Sequence, residues 1–180
     1  MDNFLKIGIT MPGYVENEVS KIEKLLDSGF DYVHIRKPEA TKEELLRFIK
    51  KISERYRKYV VLHDHHDLTE TLILGGVHLN SRNPEIPKDL PYSVSCHSLE
   101  EIKQWKGAHY IFLSPIYDSI SKPGYKSNFD IEKISEKIKG KNIVALGGVT
   151  SDKIPELKES GFIGAAFMGD LWQNLEKYIQ

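Results

Sequence analysis

Ser119, Ser121 and Lys122 stand close together in "LSPIYDSISKPGYKS" (113–127), just after an apolar run. Two hydroxyls and an ammonium at that spacing can hold phosphoryl oxygens, the lysine acting as a compact charge. Serine, proline and glycine also build ordinary surface loops, so the rest of the chain decides between the readings. Two later stretches, "ALGGV" and "FMGD", put Gly147, Gly148, Met168 and Gly169 after apolar runs, where backbone N–H groups can approach an anion. "HIRK" sets His34, able to exchange protons near neutrality, beside Arg36 and Lys37. "HDHHD" offers His63 and Asp64, residue types that also bind metals. Neighbours on a strand face opposite ways, so at most His63 and His65 share a side, and no CxxC or HExxH accompanies them. A solvated strand end with substrate contacts is the better reading of that run. Together these residues suit the binding of phosphate esters, one of them a pyrophosphate.

The elements that must position them alternate along the chain. Eight short apolar runs occupy 6–11, 32–36, 59–64, 76–80, 93–97, 110–115, 142–148 and 164–169. Several are apolar at successive positions, as in strands buried on both faces of a parallel sheet. Amphipathic segments lie between them. "ENEVSKIEKLLDSGF" lines up Val19, Ile22, Leu25 and Leu26, and "TKEELLRFIKKISERY" lines up Leu45, Phe48, Ile49 and Ile52. The latter begins at a Thr41 cap with Glu44 three residues on, a device repeated at Ser98 and Glu101. "FDIEKISEKIKG" and "TSDKIPELKESG" end at glycine, and "DLWQNLEKYI" completes the set. The fourth linker, "SRNPEIPKDLP", has three prolines and cannot hold a regular helix. This order predicts a compact (β/α)8 barrel with a degenerate fourth unit, residues 1–180 forming one domain.

In such a barrel the chemistry lies at the C-terminal ends of the strands. Arg36 and Lys37, the His63–His66 run, His78, Asn80–Arg82, Ser95–His97, the Ser119–Lys122 loop, Gly147–Gly148 and Met168–Asp170 all fall there. The opposite ends carry plain turns such as "DSGFD" and "KESGF".

Composition narrows the classes. Lys and Arg number 25 against 26 Asp and Glu, so no global field recruits nucleic acid or an anionic membrane. A single cysteine, Cys96, excludes an internal disulfide framework and reads as a small packing residue. The apolar run in "MDNFLKIGITMPG" is too short to read as a signal peptide and no run reaches membrane-spanning length, so the cytoplasm is the expected compartment. Small phosphate esters are the expected partners, and a homodimer is left open.

The residues resemble a family, the thiamine-phosphate synthases and their relatives the thiazole tautomerases. The similarity covers nearly the whole chain and rests on "YVHIRKPEATKEEL", "VHLN", "VSCHSLEEI", "FLSPIYDSISKPG" and "VALGGVTSDKIPELKESGFIGAAFMG". These match the family's arginine after strand two, its "SxHS" after strand five, its "GPIxxTxTK" loop and its late "IGGI". The resemblance implies a transferase that joins an aminopyrimidine pyrophosphate to a thiazole phosphate and releases pyrophosphate. It implies that Arg36 and Lys122 hold the pyrophosphate, with Ser119 and Ser121 in place of two threonines. Asp64 would bind Mg²⁺, and Ser95 would match the strand-five serine. Gly148, Met168 and Gly169 would take the thiazole phosphate through the backbone. Gly147, Lys37 and His63 are further expected substrate contacts. His34, where the family has glutamine, is the acid–base candidate on its own chemistry beside Arg36, with an ordinary core hydrogen-bonding role as the alternative. Asn83 stands where the family has a second metal carboxylate, which predicts a weakened Mg²⁺ site. "HIR" and "HSLEE" are similar to the tautomerase branch, an isomerase of a thiazole carboxylate phosphate, though that branch's strand-six histidine is Pro115 here. A non-catalytic relative that binds phosphate ligands is the third reading.

Overall fold

A computed structural model describes residues 4–118, 127 and 129–179. Eight parallel strands close on themselves: β1 (Leu5–Ile9), β2 (Tyr32–Ile35), β3 (Val60–Leu62), β4 (Gly76–Leu79), β5 (Tyr92–Cys96), β6 (Tyr110–Leu113), β7 (Ile143–Ala145) and β8 (Gly164–Phe167). The barrel shuts where β1 pairs with β8, Leu5 opposite Gly164 and Ile7 opposite Ala166. A Cβ on Gly164 would sit 2.7 Å from the Leu5 carbonyl oxygen, so the closure requires glycine there.

The connecting helices are α1 (Glu18–Asp27), α2 (Lys42–Lys50), α3 (Glu54–Arg57), α4 (Leu68–Leu72), α5 (Leu99–Ile102), α6 (Ile131–Ile138), α7 (Ile154–Glu159) and α8 (Gly169–Gln173). In α2 the Thr41 side chain accepts from the Glu44 N–H, while the Glu44 carboxylate accepts from the Thr41 N–H, closing the capping box. Its stripe of Leu45, Phe48 and Ile49 is buried, each side chain contributing about 1.5–3 kcal/mol. Gly140 and Gly161 take the left-handed conformation just beyond α6 and α7, which lets the chain leave each helix. Residues 80–91 hold no helix, as their prolines dictate. The segment after Ser98 falls short of expectation: α5 is one turn long, and the chain beyond it swings Trp105 onto the cavity wall.

The strands also end earlier than the apolar runs suggest. Arg36, His63, Asp64, Asn80, His97 and Gly147 leave the sheet and build the mouth of the barrel. Side chains alternate strictly, as the pleat demands. Val33, Ile35, Val77, Leu79, Val94, Cys96, Ile111 and Leu113 face the helices in the main core. Ile7, Ile9, Tyr110, Phe112, Val144 and Ala166 fill one side of the barrel interior. On the other side the plug is polar: His34, His78 and Ser93 are buried where branched aliphatics usually stack.

Candidate active site

A cavity of about 940 Å³ opens at the C-terminal mouth of the barrel. Ile9, Phe112, Leu146 and Ala166 lend it an apolar floor. Arg36, His63 and Arg82 stand on the β2–β4 side, Ser95 and His97 at β5, and Gly147, Gly148, Met168 and Gly169 on the β7–β8 side. Of the residues singled out from sequence, Arg36, His63, Ser95, Gly147, Gly148, Met168 and Gly169 are thus brought together. Ser119, Ser121 and Lys122 lie outside the described residues.

Each wall has a local cause. Arg36 is fixed through its backbone, its N–H donating to the buried Thr10 hydroxyl on the strand-one side at 2.8 Å. Gly147 and Gly148 have φ of 90° and 65°, in the left-handed region. A Cβ on Gly148 would lie 2.3 Å from the Asp118 carbonyl oxygen, so the β6 loop packs directly onto this backbone. Helix α8 is tied to the end of β1 by the Trp172 indole N–H, which donates to the Ile9 carbonyl at 2.7 Å.

Lys37, expected at the substrate, is not brought to the cavity. Its ammonium is buried and donates to both Glu18 carboxylate oxygens (2.8 and 2.9 Å), to the Met11 carbonyl (2.9 Å) and to the Gly13 carbonyl (2.6 Å). One step along the extended chain turns a side chain to the other face, so Arg36 and Lys37 cannot both point inward. Lys37 pins the β1–α1 loop instead.

His34 is fully buried and reaches the cavity only through His63, its Nδ1 lying 3.0 Å from His63 Nε2. On its other side His34 Nε2 lies 2.6 Å from the Tyr110 hydroxyl. His78, to which the sequence reading gave no role, completes the group, its ring stacked on that of His63 at 4.3 Å. Its Nδ1 and Nε2 meet the Ser93 and Ser95 hydroxyls at 2.9 and 3.1 Å. Burial pushes all three imidazoles well below the ordinary histidine range, His78 to about 3. They are neutral at physiological pH, which suits them as hydrogen-bonding groups and not as proton donors in the charged form. Nitrogens of the three come within 4.8 Å of one another, a spacing compatible with a metal ion. Stacked rings do not converge on a shared point, however, and the serine and tyrosine contacts already engage the cluster. The hydrogen bonds form two chains, Tyr110–His34–His63 and Ser93–His78–Ser95, which meet where the His63 and His78 rings stack.

Asp64, the carboxylate matched to Mg²⁺, does not line the cavity and is held by nitrogen donors. Arg82 Nε and Nη2 donate to its two oxygens at 3.0 and 3.1 Å, and Asn83 Nδ2 donates to Oδ1 at 3.1 Å. A hard divalent cation needs oxygen ligands, and this carboxylate is surrounded by N–H groups. The donor set as folded does not fit Mg²⁺. Cys96 is buried and its thiol is pushed up to about 12, which leaves it inert and consistent with packing.

A closed parallel barrel with its polar side chains gathered at one cavity at the C-terminal mouth defines the class: a (β/α)8 barrel with the layout of barrel enzymes. Within that class the chain belongs to the thiamine monophosphate synthase family, whose model matches residues 7–171. It is 31% identical to thiamine-phosphate synthase 1 of Aquifex aeolicus over 78% of this chain and 71% of the relative. The crystal structure of thiamine phosphate pyrophosphorylase from Bacteroides thetaiotaomicron superposes with a TM-score of 0.83 at 38% identity, covering 94% of this chain and 85% of that one. The Pyrococcus furiosus thiamine phosphate pyrophosphorylase, 20% identical, shares the fold with a TM-score of 0.77 over 99% of this chain and 96% of that one. No helix among the described residues is long and apolar enough to cross a membrane.

Proposed function

We propose that this protein is a transferase of thiamine biosynthesis that joins an aminopyrimidine pyrophosphate to a thiazole phosphate and releases pyrophosphate. One observation carries the reading: a single cavity has guanidinium groups on one wall, a glycine-lined wall opposite and an apolar floor between. Two flat heterocycles can meet over Phe112 and Leu146 with their anionic groups directed to opposite sides. In the reaction the bond from the pyrimidine methylene to oxygen breaks, and its electron pair departs with pyrophosphate. The thiazole nitrogen lone pair then forms the new carbon–nitrogen bond.

Catalysis of this kind is electrostatic: charge grows on the leaving group, and fixed cations near it lower the barrier. Arg36 is assigned to the leaving pyrophosphate, together with the loop residues Lys122, Ser119 and Ser121. The backbone at Gly148, Met168 and Gly169 is assigned to the thiazole phosphate, with Gly147 shaping that wall. Ser95, held by His78, and His63, held by His34, are assigned to orienting the ring substrates. Mg²⁺ comes to this chain only through its family, and no step here is assigned to it. The cytoplasm, where both phosphate esters would be available, is the assigned compartment.

Product analysis separates this reading from its rivals. Purified protein given both substrates is expected to yield thiamine phosphate, and given the thiazole carboxylate phosphate alone is expected to leave it unchanged. Isomerisation of the latter without coupling would establish the isomerase instead. Phosphate-ester binding without either reaction would make the chain a binding relative.

A further inference from the structure

The turn after β4 is built to hold one arginine. Asn80 and Asn83 exchange backbone hydrogen bonds at 3.2 and 3.0 Å, and Asn80 Oδ1 accepts from the Arg82 and Asn83 N–H groups. The side-chain amides of both asparagines donate to the His63 carbonyl, which fastens the turn to the end of β3. Arg82 is thereby carried across to Asp64 and grips it with a two-pronged fork through Nε and Nη2. The Asp64 side chain is only 11% exposed, whereas Arg82 is 49% exposed and lines the cavity. Nη1 takes no part in that fork, so the guanidinium has further donors for a second anion.

The charges balance in an informative way. Two carboxylates and one Mg²⁺ sum to zero. Asp64, the neutral amide of Asn83 and the guanidinium of Arg82 also sum to zero. The loss of one carboxylate and the gain of one fixed cation on the other are matched changes.

We propose that Arg82 is the resident cation of this site, standing on Asp64 where a divalent ion would stand and binding the pyrophosphate group directly, so that anion binding does not require a metal. A guanidinium is suited to this because it stays charged at any physiological pH and presents paired donors to phosphoryl oxygens. The inference rests on the proposed function for the identity of the anion, but its test does not need turnover.

Inorganic pyrophosphate is titrated calorimetrically into the purified protein in EDTA and again in millimolar Mg²⁺, and Mg²⁺ is titrated alone. Wild-type protein is expected to bind pyrophosphate in EDTA and to give no saturable heat with Mg²⁺ alone. Arg82→Gln, with its fold checked by circular dichroism, is expected to weaken binding in EDTA by about tenfold or more, the worth of one charge-assisted contact. Arg82→Gln/Asn83→Asp, which restores a carboxylate pair, is expected to recover pyrophosphate binding only when Mg²⁺ is present. Pyrophosphate binding by wild type that vanishes in EDTA and returns with Mg²⁺ would overturn the proposal, as would unchanged affinity in a folded Arg82→Gln. Metal-independent binding that depends on Arg82, without any thiamine phosphate produced, would sustain this inference while removing the synthase reading.

Discussion

His34 Nδ1 lies 3.0 Å from His63 Nε2, joining an imidazole sealed inside the barrel to one on the cavity wall. With His78 they fill with polar rings a space that a barrel normally fills with aliphatics, and they do so in the neutral form.

That neutrality sets an acid limit on stability. In the unfolded chain each imidazole titrates near its ordinary value of about 6.5, whereas in the fold it does not take the proton. Below that value the unfolded state therefore binds more protons, and stability falls as pH falls. Each histidine contributes about 1.4 kcal/mol across the whole window between roughly pH 7.5 and 5.5, so the three together remove about 4 kcal/mol there. Urea unfolding at those two pH values measures it. An unfolding free energy that stays level would mean that the rings are protonated in the folded state.

Lys37→Met should destabilise the protein by about 3–5 kcal/mol, because it leaves the Glu18 carboxylate buried without its partner. Lys37→Met/Glu18→Met removes both charges and should recover much of that loss. Denaturant melts of the two variants provide the comparison. A Lys37→Met protein as stable as wild type but unable to bind pyrophosphate would return Lys37 to the site.

Gly148→Ala should lose both stability and thiazole phosphate affinity. The left-handed φ alone costs about 1–2 kcal/mol for a residue with a Cβ, and contact with the Asp118 carbonyl adds to it. Gly13→Ala is the control, since a Cβ there meets nothing within 4 Å. Thermal melts with and without thiazole phosphate should separate the two, and equal behaviour would argue against a shaped wall at Gly148.

The alternation of apolar runs with amphipathic segments was enough to read the barrel, and the prolines of 84–91 were enough to read its missing helix. The strand-end rule reached Arg36, His63, Ser95 and the two glycine walls, because in this fold position along a strand determines distance from the mouth. It failed where direction mattered more than position. Lys37 follows Arg36 directly, and the period of two that turns one inward turns the other away, a signal already present in the "HIRK" spacing. His78 is inward by the same period, yet a lone histidine in an apolar run gives no sign of the partners that will satisfy it. The fork between Arg82 and Asp64 was out of reach for another reason. It joins residues eighteen positions apart through the shape of the Asn80–Asn83 turn, which the pair of asparagines hints at but does not specify.

One reaction followed by phosphorus NMR decides whether this barrel is the proposed transferase. The aminopyrimidine pyrophosphate and thiazole phosphate are mixed with wild-type protein and, separately, with Arg36→Ala. Wild type should form thiamine phosphate and pyrophosphate in equal amounts. Arg36→Ala should lower kcat/KM about a hundredfold, the effect of removing one group that stabilises developing charge, while its melting temperature stays near that of wild type. No product from wild-type protein that demonstrably binds both substrates would rule out the transferase, and equal turnover by Arg36→Ala would remove Arg36 from the leaving group.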